Sequence, residues 1–240
     1  MDIAELHRVA MRVAREEGLL ALAVRTSRCV RDVLSSTFCV RHVYICRFEM
    51  ADVDFWEPLF VPLGFTTFFV ASHSDADLLA ARGYEDFRDC FLRARGSLDT
   101  GAVALCAFSG ESLAHVGWVA CSHSQKGRFD NVPYPVDFES GEACLGSVFT
   151  FPEYRGQGLA PHSMRLRLEY LRSLGCSTTF AAVETDNIAS LRAMARVGPF
   201  TWRALLQIKL PGINWVRFES GGDEVTVSPS PLGCSIGPND

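Results

Sequence analysis

Apolar and polar positions along this chain repeat with a period of about two residues in some blocks and of three to four in others. The first period is typical of half-buried strands and the second of amphipathic helices. Strands are predicted at Val40 to Phe48, Thr66 to Ala71, Val103 to Phe108, Leu113 to Ser122, Ala143 to Phe151, Thr178 to Val183, Thr201 to Leu210 and Asn214 to Phe218. Helices are predicted at Asp2 to about Ser36, in two pieces across Asp75 to Arg95, at Ser163 to Leu174 and at Asn187 to Val197. This mixture of elements indicates an α/β (mixed α+β) fold.

Two of the connections carry predictions of their own. The helical stretch 75–95 breaks at Gly83, and Ser74 or Asp75 is the expected N-cap of its first half. Its apolar face comprises Leu78, Leu79, Phe87, Phe91 and Leu92. Lys126 to Gly141 is predicted to be a long loop, which in a compact domain often has a function.

Composition narrows the class of protein. The chain has 240 residues and a net charge of −5, which gives it no general attraction for nucleic acid. Its nine cysteines form no C-x-x-C pair and most stand in apolar runs, which indicates a reducing compartment with neither disulfides nor a metal site. No apolar run approaches the roughly 20 residues that a membrane-spanning helix needs, so the expected location is the cytoplasm.

A glycine-containing turn, Tyr154 to Ala160, joins the predicted strand ending at Phe151 to the helix that follows. Unpaired N–H groups and the positive end of the helix dipole meet at such a junction, and Gly156 and Gly158 let a ligand oxygen approach the backbone closely. A phosphate fits this site. A nucleotide P-loop is excluded because no Gly-Lys-Ser/Thr occurs here, and Pro161 stands where a dinucleotide-binding turn has its third glycine.

The residues of this turn resemble a known family. Arg155-x-x-Gly158-x-Ala160 is similar to the Q/R-x-x-G-x-G/A loop of the GCN5-related N-acetyltransferases, the GNAT superfamily, whose loop amides hold the pyrophosphate of acetyl-coenzyme A. Pro152, Glu153 and Tyr154 before the loop, and Asn187, Ser190 and Gly198 after it, add to the resemblance. It implies the GNAT acyl-CoA N-acyltransferase fold, a central, mostly antiparallel sheet whose fourth and fifth strands run parallel and splay apart to admit the pantetheine arm. It also implies the residues that contact acetyl-CoA or another acyl-CoA: Phe149, Thr150, Arg155, Gly156, Gln157, Gly158, Leu159, Ala160 and Asn187, with Phe149 and Thr150 binding the thioester oxygen through backbone N–H groups.

Direct transfer of an acyl group to an amine, which the resemblance implies, needs a general base. The candidates are Glu142 at the start of the fourth family strand, Glu184 at the end of the fifth and His123 at the end of the third, each of which has the alternative of a solvated strand-end residue. Many family members place a tyrosine seven residues after the asparagine, as the acid for the leaving thiolate. This chain has Met194 there, so water or Ser190 is left as the proton source.

For two other polar residues, Asn187 and His162, the sequence also allows a role outside the acetyl-CoA site. Asn187 contacts the pantetheine region by resemblance, but it or Asp186 is also suited to cap the following helix. His162 stands in the first turn after the loop, close to Arg155 and to the positive helix end, where a neutral imidazole is expected rather than a catalytic cation.

By this resemblance and by composition, residues 1–58 are an N-terminal helical and strand extension, residues 59–218 the GNAT domain and residues 219–240 a disordered tail. The predicted activity is N-acetyltransferase, with acetyl-CoA as donor and a primary amine as acceptor. An acceptor with an amine would suit the acidic Asp130, Asp137, Glu139 and Glu142, whereas Phe129, Tyr134 and Phe138 would suit a longer acyl chain.

Other functions stay open. The basic helical segment in residues 1–58 suits either packing on the domain or contact with a membrane or an acyl carrier protein, and the second would favour a longer acyl donor. A catalytically silent, CoA-binding regulatory module is a further alternative function. The formation of a homodimer also stays open.

Overall fold

The computed structural model describes residues 39–55, 62–91, 93–210, 213–218 and 225–227. The helix predicted for the first 36 residues lies outside these ranges, as does most of the tail after residue 218. Across the ranges described, no helix combines the length and apolar character needed to cross a membrane.

A single sheet organises the described part of the chain. Its strands are β1 (Cys39–Glu49), β2 (Phe65–Val70), β3 (Val103–Ser109), β4 (Ser112–Ala120), β5 (Glu142–Thr150), β6 (Thr178–Glu184), β7 (Phe200–Leu210), β8 (Ile213–Phe218) and β9 (Val225–Val227). Their order is β2-β3-β4-β5-β6-β1-β7-β8, with β9 beside β7, and every neighbouring pair is antiparallel except β5 and β6. The sheet confirms the predicted mixed fold with a parallel pair at its centre.

Strand β1 comes from the first 58 residues, yet it lies inside the sheet. It pairs with β6 on one side, where Val43 faces Glu184, and with β7 on the other. Cys46 and Phe48 of this strand are 0% exposed. This part of the predicted extension therefore supplies a strand that is hydrogen-bonded along both edges. Strand β9 likewise falls within the predicted tail, and it pairs with β7.

The parallel pair separates after a short stretch. Pairing of β5 with β6 runs from Glu142 opposite Thr178 to Leu145 opposite Ala181, and it ends there. Beyond Leu145, the two strands diverge and leave a gap between their carboxyl ends. A parallel pair needs a crossover, which a helix between the strands supplies.

A β-bulge in β5 coincides with the start of this gap. On the neighbouring β4, Val116 faces Phe149 and Trp118 faces Gly146, so two β5 residues oppose one β4 residue between them. The first of the two, Ser147, has a φ of 46°. Bulges bend a strand and increase its twist, which turns the end of β5 away from β6.

The helices cover both faces of the sheet. They are α1 (His73–Ala81), α2 (Phe87–Cys90), α3 (Ala94–Asp99), α4 (His123–Phe129), α5 (Leu159–Ser173) and α6 (Ile188–Ala195), with 3₁₀ turns at Phe138–Ser140 and Pro152–Tyr154. Helices α5 and α6 pack on one face, where Leu168 and Leu171 meet Leu145 and Ala181. Helices α1 to α4 and the segment 130–138 pack on the other. We call these the α5 face and the pocket face.

Several element boundaries differ from those predicted. The stretch 75–95 contains parts of three helices rather than two, and the cap of α1 is Ser72, whose Oγ accepts the Asp75 N–H at 3.1 Å. The predictions of Ser74 or Asp75 as cap were therefore wrong. Leu78 is 59% exposed because the buried side of α1 is formed by Ala76 and Leu79. The fifth residue of that predicted face, Leu92, lies outside the described residues.

Two further predictions concern the segments that flank the central strand. The predicted loop 126–141 begins inside α4 and ends in a 3₁₀ turn. Gly127 in its second turn obscured the helical pattern, while Ser122 caps the helix by accepting the Gln125 N–H at 3.3 Å. Helix α5 begins at Leu159 rather than Ser163, because Pro161 in its first turn needs no hydrogen-bond acceptor.

Candidate active site

The glycine turn presents a row of unpaired backbone amides. Gly156 and Gly158 have φ values of 76° and 81°, a left-handed conformation in which glycine has no steric penalty, and Gly158 is the N-cap of α5. The first helical bond is donated by the His162 N–H to the Gly158 carbonyl at 3.2 Å. Within the described residues, no acceptor is present for the five N–H groups from Gly156 to Ala160. Such groups at the positive end of a helix fit a phosphate.

Side chains of the turn hold it against the end of β5. The Arg155 Nε donates to the Thr150 carbonyl at 3.1 Å, and the Gln157 Nε2 donates to the Glu153 carbonyl at 3.3 Å. Both side chains remain exposed. The turn is therefore tied to the strand that precedes it, and its amides are oriented together.

A buried arginine fixes α5 to the sheet. Arg167 is 2% exposed, and its guanidinium donates to the carbonyls of Trp118 and Ser163, each at 3.2 Å. Burial lowers the pKa of Arg167 to about 10, so the group stays charged at neutral pH. Beside it, the His115 Nδ1 lies 2.7 Å from the Thr150 Oγ1, and burial lowers the pKa of His115 to about 3. These contacts position the start of α5, and with it the glycine turn.

His162 is half-buried in the first turn of α5. Burial lowers its pKa from the usual value, and the charge of Glu169 opposes the change. This direction agrees with the neutral imidazole expected from the sequence.

The gap between β5 and β6 exposes one edge of the β5 backbone. From Gly146 to Thr150 this strand keeps its pairing with β4 but has none with β6. Phe149 points to the pocket face, where its ring contacts Phe91 and Phe151. The Thr150 side chain points to the α5 face, toward His115. Neighbouring side chains of this free edge therefore point to opposite faces of the sheet.

Asn187 caps α6. Its Oδ1 accepts the Ser190 N–H at 3.1 Å, so the capping interpretation of Asn187 is correct and Asp186 is not the cap. Both Asn187 and Asp186 are exposed, and Ser190 is half-buried. Met194, at the position of the family's tyrosine, is 5% exposed and lies in the core between α5, α6 and the sheet.

A cavity of about 170 Å³ lies on the pocket face at the gap. It is lined by residues from five separate parts of the chain: Arg41, Val43, Arg93, Phe129, Asp130, Asn131, Val132, Leu145, Gly146, Ser147, Ala182 and Glu184. The Phe129 ring packs so closely on β5 that a Cβ added to Gly146 would lie 2.8 Å from two of its carbons. Only glycine at position 146 leaves room for the ring and the cavity together.

Glu184 is the base candidate that lines this cavity. It is the last residue of β6, and its Oε1 lies 3.5 Å from the Arg41 Nε, with side chains 47% and 33% exposed respectively. Partial burial raises the pKa of Glu184, Asp186 adds to the rise and Arg41 opposes it. A carboxylate with a raised pKa beside a cavity has the properties of a general base.

The other two base candidates lie elsewhere. Glu142 is at the start of β5, four residues and about 13 Å along the strand from Gly146. Its Oε2 accepts the Asp137 N–H at 2.6 Å, which closes the turn before β5. His123 is exposed at the start of α4, where its ring packs on Phe138 with centroids 4.8 Å apart. The structure brings these two side chains to the end of β5 that is opposite the gap.

One of the acidic side chains of the segment 130–142, Asp130, is buried and hydrogen-bonded. Asp130 is 9% exposed and accepts hydrogen bonds from the Val132 N–H and the Tyr134 hydroxyl. The Lys126 Nζ lies 3.6 Å from its Oδ2 and donates to the Val132 carbonyl at 2.7 Å. Burial and the Asp130 charge raise the pKa of Tyr134. This buried cluster holds the segment that forms one wall of the cavity.

Sequence reasoning missed the most distinctive side chains of the cavity. Arg41 and Arg93 stand in a strand and before a short helix, and neither lies near a motif. Gly146 and Ser147 carried a usable signal, because a glycine inside an apolar strand often marks a bulge. Of the three aromatic residues expected to line a pocket for a longer acyl chain, Phe129 lines the cavity, whereas Tyr134 is buried and Phe138 packs on His123.

A larger groove of about 410 Å³ lies away from this site. It is lined by residues 50–55 and Arg172, at the turn after β1. The Met50 N–H donates to the Ser177 carbonyl, which precedes β6, so the groove is at the end of β6 opposite the gap.

Comparison with known proteins gives one match by family. The model of the acetyltransferase (GNAT) family matches residues 66–198, which is more than half of the chain. No curated protein matches the chain in sequence.

Solved structures of similar fold include a GNAT-family protein from Novosphingobium aromaticivorans, with 17% identity over 69% of this chain and 61% of that one and a TM-score of 0.44. A tandem GNAT protein from the clavulanic acid biosynthesis pathway has 14% identity over 80% and 59% of the two chains, with a TM-score of 0.46. A GNAT-family acetyltransferase from Colwellia psychrerythraea has 16% identity over 76% and 57%, with a TM-score of 0.44. This chain thus spans about three fifths of the length of those chains. From the family match over residues 66–198, with the parallel strand pair and the glycine turn that those residues contain, the chain belongs to the GNAT family of acetyltransferases.

Proposed function

We propose that this protein transfers an acetyl group from acetyl-CoA to a primary amine by direct attack. The observation that carries the proposal is the continuity of the site. Five unpaired amides at the start of α5 lie on one side of the gap between β5 and β6, and a cavity containing Glu184 lies on the other. A donor held on the α5 face therefore meets an acceptor on the pocket face.

On the donor side, backbone groups do most of the binding. The N–H groups from Gly156 to Ala160 bind the pyrophosphate, and the Arg155 guanidinium keeps the turn in place through Thr150. The free edge of β5 around Phe149 and Thr150 supplies N–H groups to the thioester oxygen, which stabilises the charge that develops there. Asn187, besides capping α6, contacts the pantetheine arm.

On the acceptor side, Glu184 removes a proton from the attacking amine. The amine nitrogen forms a bond to the thioester carbonyl carbon, the carbon–sulfur bond breaks, and the sulfur takes a proton from water. Met194, at the position of the family's tyrosine, has no acidic proton and lies in the core, so we assign the proton to solvent. The products are an N-acetylated amine and free CoA.

The size of the cavity supports a short acyl group. About 170 Å³ corresponds to the room of roughly six water molecules, which the acyl group and the acceptor must share. Phe129 closes the cavity against Gly146 and would block a longer chain. Free, buried thiols at Cys46, Cys106 and Cys144 support work in a reducing compartment, and we propose the cytoplasm.

Calorimetric titration with acetyl-CoA tests the donor site. In Gly158→Trp, a bulky side chain at the N-cap of α5 covers the amides, and the loss of two charge-assisted hydrogen bonds weakens binding by about a hundredfold or more. Gly175→Trp is the matched control, because Gly175 has a φ of 83° just past the other end of α5 and nothing lies within 4 Å of an added Cβ.

The expected result is similar affinity of the wild type and Gly175→Trp for acetyl-CoA, and binding by Gly158→Trp that is weaker by about a hundredfold or more. Equal affinity of all three proteins, or no affinity of the wild type for acetyl-CoA, would contradict the proposed donor site.

A further inference from the structure

The charges of the cavity on the pocket face identify a class of acceptor. Two of its lining side chains are arginines, Arg41 from β1 and Arg93 from the start of α3. Its acidic members are Glu184 and Asp130, and Asp130 is buried against Lys126 and Tyr134. The residues that line the cavity therefore include two arginines and one carboxylate that is not buried against other side chains.

These groups are incompletely paired with one another. Arg41 and Glu184 share a single contact of 3.5 Å through the Arg41 Nε, which leaves the two terminal nitrogens of Arg41 for a ligand. Arg93 is exposed, and among the described residues its guanidinium has no ion-pair partner. Guanidinium groups bind carboxylates through two parallel hydrogen bonds, a geometry that Arg41 and Arg93 can offer from the wall of the cavity.

Resting on the proposed acyl transfer, we propose that the acceptor is a small amino acid-like molecule, a primary amine that also carries a carboxylate. Its amine faces Glu184 and the gap, and its carboxylate faces Arg41 and Arg93. Binding then exchanges one ion pair for two, because Glu184 gains the ammonium group and Arg41 gains the carboxylate. An amine without a carboxylate would draw Glu184 from Arg41 and leave two guanidinium groups facing each other without compensation.

The volume of the cavity favours a small acceptor. Its 170 Å³ is below the roughly 300–1,000 Å³ of pockets for drug-sized ligands. Val43, Val132 and Ala182 line the remaining wall with short apolar side chains. The cavity therefore suits a free amino acid of few carbons.

Pairs of amines that differ in one charge test the proposal. Glycine, β-alanine and γ-aminobutyrate are compared with glycinamide, β-alaninamide and 4-aminobutanamide, first by calorimetric binding to the protein saturated with CoA and then by thiol release from acetyl-CoA. We expect at least one carboxylate to bind about 10–100-fold more tightly than its amide, the effect of charge-assisted hydrogen bonds. Arg41→Gln and Arg93→Gln should each remove most of that preference by raising KM for the carboxylates, while the amides should bind at least as well as they do to the wild type.

Arg128→Gln is the matched control, since Arg128 is exposed on α4 near the cavity but does not line it. This variant should keep the preference for the carboxylate. Equal binding of carboxylates and amides, an unchanged preference in both cavity variants, or stronger binding of 2-aminoethylphosphonate than of any carboxylate would overturn the assignment. Carboxylate-selective binding without thiol release would support the proposed acceptor site and contradict acyl transfer. Thiol release that is as fast with amides as with carboxylates would support acyl transfer and contradict the proposed acceptor site.

Discussion

The two faces of the sheet meet at one gap, but the proposed sites on them use different parts of the chain. The donor site on the α5 face is nearly continuous in sequence, since residues 154–160 supply the turn and its amides. The cavity on the pocket face collects side chains from Arg41 to Glu184, and strands β1, β5 and β6 must assemble before it exists. The proposed donor site consists mainly of backbone groups, and the proposed acceptor site consists mainly of side chains.

This difference has a consequence for specificity. A backbone site depends on φ angles and the start of a helix, so it binds the same pyrophosphate whatever side chains surround it. We expect the proposed acceptor cavity to change its preference when Arg41, Arg93 or Glu184 is substituted, without an effect on the proposed donor site. Within one family, the donor is therefore expected to be shared and the acceptor to vary.

The largest expected effect is a loss of turnover when Glu184 is substituted, with the affinity for acetyl-CoA unchanged. In Glu184→Gln, turnover should fall by about 10²–10⁴-fold, because the general base is lost. Acetyl-CoA affinity, measured by calorimetry, should stay within about twofold of the wild type. Thiol release that persists at the wild-type rate would show that another group or water takes the proton.

The same variant predicts a change in the pH profile. Partial burial raises the pKa of Glu184, so the active carboxylate forms only as pH rises through that raised value, and kcat/KM of the wild type should rise with it. Glu184→Gln should lack this acid limb.

The raised pKa of Glu184 also bears on stability. The neutral form is favoured in the folded state, so the contribution of Glu184 to stability is present at low pH and lost as pH rises through its folded pKa. The variant should therefore be no less stable than the wild type at neutral pH.

The next largest effect is on the free energy of unfolding, and it tests whether side chains of β1 contribute to both faces of the sheet. Phe48 is 0% exposed and its ring lies 5.1 Å from that of Phe200, on the α5 face, whereas Arg41 of the same strand lines the cavity. Phe48→Ala should lower the free energy of unfolding by about 3–5 kcal/mol, as measured with denaturant. Val40→Ala, at a position 68% exposed in the same strand, should change it by less than about 0.5 kcal/mol. A small effect at Phe48 would mean that β1 is a dispensable appendage.

Local signals explain how much of the fold the sequence predicted. Strands and the helix after the glycine turn were found because their period and the loop chemistry depend on neighbouring residues only. The position of β1 between β6 and β7 was not found, because no local pattern states which strands will pair. The caps at Ser72 and Ser122 were likewise missed, since several adjacent serines suit the same role.

The same reasoning applies to the candidate site. The turn from Arg155 to Ala160 was predicted as a unit because all its parts are contiguous. The three general-base candidates all stand at predicted strand ends, so the sequence does not distinguish them. Only the direction and pairing of the strands place Glu184 at the gap and Glu142 and His123 at the other end of β5. Arg41 and Arg93 have no local signature, because their role depends on the cavity that distant segments form.

A moderate effect is expected where the acceptor cavity touches β5. In Gly146→Ala, the new Cβ would lie 2.8 Å from the Phe129 ring, so the ring must move into the cavity at a cost of about 1–3 kcal/mol of stability. KM for the acceptor should rise while the Kd for acetyl-CoA stays unchanged. Gly127→Ala is the control, since an added Cβ there meets nothing within 4 Å and alanine favours helix α4. Equal effects of both substitutions on KM would contradict the packing of Phe129 against the cavity.

The smallest effect concerns the bulge that separates the two faces. Ser147 has a φ of 46°, which costs a residue with a side chain about 1–2 kcal/mol, whereas glycine adopts it freely but loses more chain entropy on folding. Ser147→Gly should therefore raise the free energy of unfolding by roughly 0.5 kcal/mol, and Ser147→Ala, which keeps the strained angle, should not raise it. If the strain holds the free edge of β5 in place, Ser147→Gly should also lower turnover while acetyl-CoA affinity is preserved, because the pyrophosphate site lies beyond the bulge. A gain in stability with unchanged turnover would mean that the bulge bends β5 without help from the strain at Ser147, and that the gap depends on the pairing with β4 alone.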